Sequence, residues 1–89
     1  MRQAMSLEFD PVGDRILVID RVEDILLTVD PVTGDRTLLS GQGLGKGPNF
    51  DYPTSIALLL DDQLALVTDA ELGVLVVDLA TGERALLRR

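Results

Sequence analysis

The chain has no cysteine and no histidine among its 89 residues, and Lys46 is its only lysine. Each shortage excludes a chemistry. Without cysteine there is no disulfide framework and no thiolate nucleophile; without histidine there is no imidazole acid–base pair; without both there is no structural zinc site. Eight Lys and Arg stand against fifteen Asp and Glu, a net charge of −7 at pH 7. That excludes a sequence-independent nucleic-acid surface, which needs clustered cations. Long apolar runs are also missing. The longest, Ile56 to Leu60, falls far short of the ~20 residues of a membrane-spanning helix. Met1 to Asp10 lacks the apolar stretch of a secretory signal. These features are compatible with the cytoplasm but leave the compartment open.

What is present is an aliphatic globular domain. Hydrophobic residues make up 46% of the chain, with only Phe9, Phe50 and Tyr52 as aromatics. The core must therefore be Leu, Val and Ile, and so apolar a chain does not read as disordered. Its length allows one small domain.

The main pattern is internal repetition. Displaced by 48 positions, the chain matches itself at Asp14, Glu23, Leu27, Val29, Asp30, Thr33, Gly34, Arg36, Leu38 and Leu39, against Asp62, Glu71, Leu75, Val77, Asp78, Thr81, Gly82, Arg84, Leu86 and Leu87. That is ten identities in 26 ungapped pairs. A second register fits the first half of the unit. It lays Leu17-Val18-Ile19-Asp20 on Leu66-Val67-Thr68-Asp69 and leaves copy two one residue short between its second and third runs.

Each copy divides into four short apolar runs: 6–9, 15–19, 25–29 and 37–39, then 55–59, 63–68, 74–77 and 85–87. They are rich in β-branched residues and too short for helices, which argues four strands per copy. The intervening segments carry turn chemistry. Asp10-Pro11-Val12-Gly13-Asp14 joins the first two runs, while Asp30-Pro31-Val32-Thr33-Gly34 and Asp78-Leu79-Ala80-Thr81-Gly82 join the last two. The latter fit hairpins closed by a left-handed glycine. Ile56, Leu59, Leu60, Leu64 and Val67 lie near helical spacing, but the equivalent stretch of copy one holds Pro11 and Gly13, so a hairpin is expected in both.

The middle runs are apolar on both faces, as in Ile25-Leu26-Leu27-Thr28-Val29, where a half-exposed sheet would alternate. Four-stranded sheets covered on both sides and repeated at this spacing describe β-propeller blades. The expected fold is all-β: blade one over residues 1–41, a glycine-rich loop over 42–53, and blade two over 54–89.

The segment Gly47-Pro48-Asn49-Phe50-Asp51-Tyr52-Pro53-Thr54-Ser55-Ile56-Ala57 resembles the start of an NHL-type repeat, in which a Gly-Pro loop leads into the innermost strand. Leu66-Val67-Thr68-Asp69 is similar to the end of that family's second strand, and Val29 to Arg36 and Val77 to Arg84 to its last hairpin. The resemblance covers nearly the whole chain and implies a propeller; copy one departs from it in lacking the glycine-rich leading loop. Rings close with ~4–8 blades, and neither end of the chain reads as a cap, so head-to-tail association is expected. Three chains would give the six blades of NHL-like and gluconolactonase-like propellers, and four would give eight. A two-blade fragment of a longer gene is the other explanation.

Candidate site residues are few. The loop Gly41-Gln42-Gly43-Leu44-Gly45-Lys46-Gly47 fits no phosphate-binding template: Ser40 stands where a P-loop needs its first glycine, and Gly47 where it needs Ser or Thr. It reads as a connection. Asp20 and Asp69, with Asp24, Asp30 and Asp78, end strands or start turns, where carboxylates bond backbone amides and can also gather a cation such as Ca²⁺ or Mg²⁺. No EF-hand spacing is present, and no metal ligands or catalytic residues are assigned. Glu8 falls on the opposite face of the innermost strand from Leu7 and Phe9. The gluconolactonase likeness implies a metal held by central acids and Asn, with Glu8 and Asn49 as nearest analogues. Asn49, Phe50 and Tyr52 lie in the loop leading to the second innermost strand, a usual place for ligand contacts. The expected function is a non-enzymatic ring scaffold that binds a protein or small ligand, with itself as first partner. A metal-dependent lactonase and a fragment with no ligand are the alternatives.

Overall fold

The computed structural model describes residues 2–59 and 63–87. These form eight strands: β1 (Ala4–Asp10), β2 (Arg15–Asp20), β3 (Ile25–Val29), β4 (Arg36–Ser40), β5 (Pro53–Leu59), β6 (Leu64–Asp69), β7 (Gly73–Asp78) and β8 (Arg84–Leu86). They build two four-stranded antiparallel meanders, β1-β2-β3-β4 and β5-β6-β7-β8. The protein is all-β, with one sheet from each repeat.

Turn chemistry sets the hairpins. Before β4, Asp30 Oδ1 accepts from the amides of Val32 and Thr33 at 2.8 and 3.1 Å, and Gly34, at φ 79°, returns its N–H to Asp30 O at 2.8 Å. The β7–β8 turn repeats this with Asp78, Ala80 and Gly82. The helical spacing around Leu59 and Leu64 is overridden as expected: the two pair between the antiparallel strands β5 and β6; residue 60, part of that spacing, lies outside the described residues.

Strand pairing decides between the two repeat registers, and both are used. Ser6 pairs Ile19 as Ser55 pairs Thr68, so β1 and β2 map on β5 and β6 at a displacement of 49. Val18 pairs Leu27 as Val67 pairs Leu75, so β3 maps on β7 at 48. The lost residue is in the β6–β7 turn, since Asp20 pairs Ile25 while Asp69 pairs Gly73.

Alternation then sorts the apolar residues. Leu17, Ile19 and Leu26 of the first sheet meet Ile56, Ala65, Val67, Leu75 and Val77 of the second in one core, joined by Phe50 and Leu79. The other face of the first sheet carries a separate cluster, Val18, Ile25 and Leu27, with Ile16, Val29 and Leu38 packed beside it. The central strands are thus apolar on both faces, as their sequence implies. Sequence reasoning expects both faces covered; within one chain only the faces between the sheets are.

Candidate functional site

One remote side chain gathers the loop between the sheets from Leu44 to Asn49. Arg84, at the start of β8, is buried. Its guanidinium donates to Pro48 O at 2.6 Å, Ser40 Oγ at 2.6 Å, Leu44 O at 3.0 Å, and Gly47 O and Asn49 Oδ1 at 3.3 Å. It also lies over the Phe50 ring, 5.5 Å from the centroid. Ser40 Oγ–H passes the network on to Gly82 O, and the Arg84 N–H bonds Lys46 O at 2.6 Å. All five oxygens that the guanidinium reaches are uncharged, and desolvation by burial lowers the Arg84 pKa. A second tie joins the sheets: Arg15 pairs with Asp10 at 3.0 Å and reaches Leu79 O at 3.4 Å.

The glycine-rich loop is therefore consumed by packing. Gly47 sits at φ 108°, and a Cβ there would collide with the carbonyl of Arg84. Gly41 and Leu44 close the preceding turn with a reciprocal pair of backbone bonds. The contacts that hold the loop fall on its carbonyl oxygens, which point at the Arg84 guanidinium and amide.

The predicted strand-end acids act alike in both repeats. Asp69 accepts from the amides of Asp51, Tyr52, Glu71 and Leu72 at 2.8–3.1 Å. Asp20 accepts from Arg2, Gln3, Val22 and Glu23 at 2.5–3.1 Å. Burial alone would raise both pKa values, but the four N–H donors outweigh it and hold each below the usual carboxylate range. Each carboxylate pins the segment leading into a β1-type strand to the turn after a β2-type strand.

Asp24 behaves oppositely. Its Oδ1 is buried with no partner among the described residues. Burial, and then the charges of Asp51, Asp69 and Asp20, push its pKa up. Sequence reasoning grouped it with the other acids; the signal it missed is that Asp24 falls on Leu72 in the other repeat.

The remaining candidates are dispersed. Phe50 is 3% exposed and belongs to the core. Tyr52 is exposed; its hydroxyl accepts from Arg21, whose guanidinium lies 4.7 Å from the ring centroid. Asn49 is engaged by Arg84. Glu8 is exposed on β1. Among the described residues, no group of three or more His, Cys, Asp or Glu is placed to hold a metal ion. Arg84 and Ser40, which do most to organise the loop, were not picked out from sequence. Arg84 was visible only as the repeat of Arg36, which is exposed.

The largest unexplained feature is the pair of outward sheet faces. On the first sheet, Leu7 is 63% and Phe9 49% exposed beside the Val18–Leu27 cluster. On the second, Ala57 and Ala85 are exposed, while Leu64, Leu66, Val74 and Val76 are half-buried. Contiguous apolar surface of this kind marks an interface more often than a solvated face.

No protein-family model matches the chain, and no curated protein matches it.

Proposed function

We propose that this chain is a non-enzymatic, NHL-like propeller scaffold, its two sheets serving as blades of a ring closed by further blades. Six blades from three chains is the favoured count, and a protein or small ligand at one end of the ring is the favoured use. The observation that carries the reading is that each repeat has one face buried against the other repeat and one apolar face left open.

The engagement of the acids supports a scaffold over a lactonase-like hydrolase. Asp20 and Asp69 are saturated by backbone amides, and Asn49 is held by Arg84. Thermal melting with and without millimolar Ca²⁺ or Mg²⁺, together with a lactone turnover assay, tests this. The scaffold predicts an unchanged midpoint and no turnover. A rise of several degrees with turnover would replace it by the hydrolase, since a ligand that binds only the folded state raises the midpoint.

A further inference from the structure

We propose that the open Leu7–Phe9 face of one copy docks on the open Ala57–Leu66–Val76 face of a second copy, head to tail. This rests on the scaffold reading and names its first partner and the surfaces used. The argument comes from the interface already inside the chain. Its second-sheet side is Ile56, Leu58, Ala65, Val67, Leu75 and Val77. Through the strand registers, these positions correspond to Leu7, Phe9, Ile16, Val18, Leu27 and Val29, which is the open face of the first sheet. Its first-sheet side, Leu17, Ile19 and Leu26, corresponds to Leu66, Thr68 and Val74, on the open face of the second sheet. There are thus two kinds of face, packed once against each other, and every chain has one of each unused. A second copy satisfies both, and the contact is heterologous by construction.

The substitutions between repeats fit this pairing. Within the chain, the touching strands β1 and β5 place Glu8 on one packed face and Leu58 on the other. On the open faces the corresponding positions hold Ala57 and Phe9, one smaller and the other larger than its counterpart. The polar clasp is not repeated, because Arg84 and Ser40 fall on Arg36 and Arg88. The apolar faces alone carry the junction, which therefore dissociates on dilution before either sheet pair inside a chain separates.

Two surface variants test the pairing. Leu7→Lys with Phe9→Lys blocks one face; Ala57→Glu with Ala85→Glu blocks the other. All four side chains are exposed, and circular dichroism checks that each variant keeps the wild-type strand signal. If a charged variant melts early, Leu7→Gln with Phe9→Gln and Ala57→Ser with Ala85→Ser take their places. Head-to-tail docking predicts that wild type assembles, each variant alone is monomeric, and an equimolar mixture forms a 1:1 dimer through the two intact faces. A dimer of either variant alone would show like faces pairing and overturn the inference while sparing the scaffold. Wild-type-like assembly of both variants, or no association on mixing, would overturn it too. A monomeric wild type would remove the scaffold reading itself.

Discussion

Asp20 and Asp69 each accept four backbone N–H groups, whereas Asp24 keeps a buried oxygen with no donor among the described residues, beside three other acids. The two kinds of carboxylate affect stability in opposite directions. For Asp20, Asp69 and the Arg15-bonded Asp10, the folded pKa is below the ordinary 3.8. Their contribution is present above that value and is lost as pH falls through the folded pKa. Asp69→Ala should cost about 1–3 kcal/mol at neutral pH, because four amides lose their acceptor; urea unfolding at pH 7 measures it. For Asp24 the folded pKa is raised, so the folded state binds more protons than the unfolded one, and stability falls as pH rises above 3.8. Asp24→Asn should therefore melt above wild type at pH 7, with the advantage vanishing below pH 3.8, where both side chains are neutral. Asparagine also tolerates the φ of 56° at this position. The saturated acids were partly legible, because an Asp at a strand end has a known local use. The Asp24 environment was not, because it is made by burial and then by the charges of Asp51 and Asp69 from distant segments, with Asp20 of its own turn.

At the scale of elements, strands and hairpins could be read from the chain because their causes are local. Val and Ile favour extended backbone, and the two Asp-x-x-Thr-Gly turns supply both an amide acceptor and a left-handed glycine. Repetition removed the one ambiguity, the helix-like spacing from Ile56 to Val67. The loop over residues 42–53 reads from sequence as a connection whose Asn49, Phe50 and Tyr52 are placed for ligand contacts; that Arg84, more than thirty positions along the chain, gathers its stretch from Leu44 to Asn49 has no local signal. Arg84→Leu should remove five hydrogen bonds and free the loop. The expected cost is at least about 2 kcal/mol, given the strength of bonds to charged donors, with faster amide exchange at Lys46 and Gly47. Gly47→Ala should loosen the same loop by collision with the Arg84 carbonyl. Unchanged exchange in both variants would show that the clasp does not hold the loop.

For the whole molecule, two sheets with one shared core follow from apolar residues on both faces of β2, β3, β6 and β7. The sequence could not show which faces the chain covers by itself. That depends on how the 42–53 segment swings the second sheet across the first, a matter of tertiary geometry. The outcome leaves Leu7 and Phe9 on one side and Leu66 and Val76 on the other, the surfaces from which a ring would grow. Light scattering on size-separated protein at neutral pH, over a range of concentrations, tests this most directly. The account predicts a discrete species near three times the 9.6 kDa chain mass, about 29 kDa, that dissociates on dilution. A single species of 9.6 kDa that melts cooperatively at every concentration would contradict it.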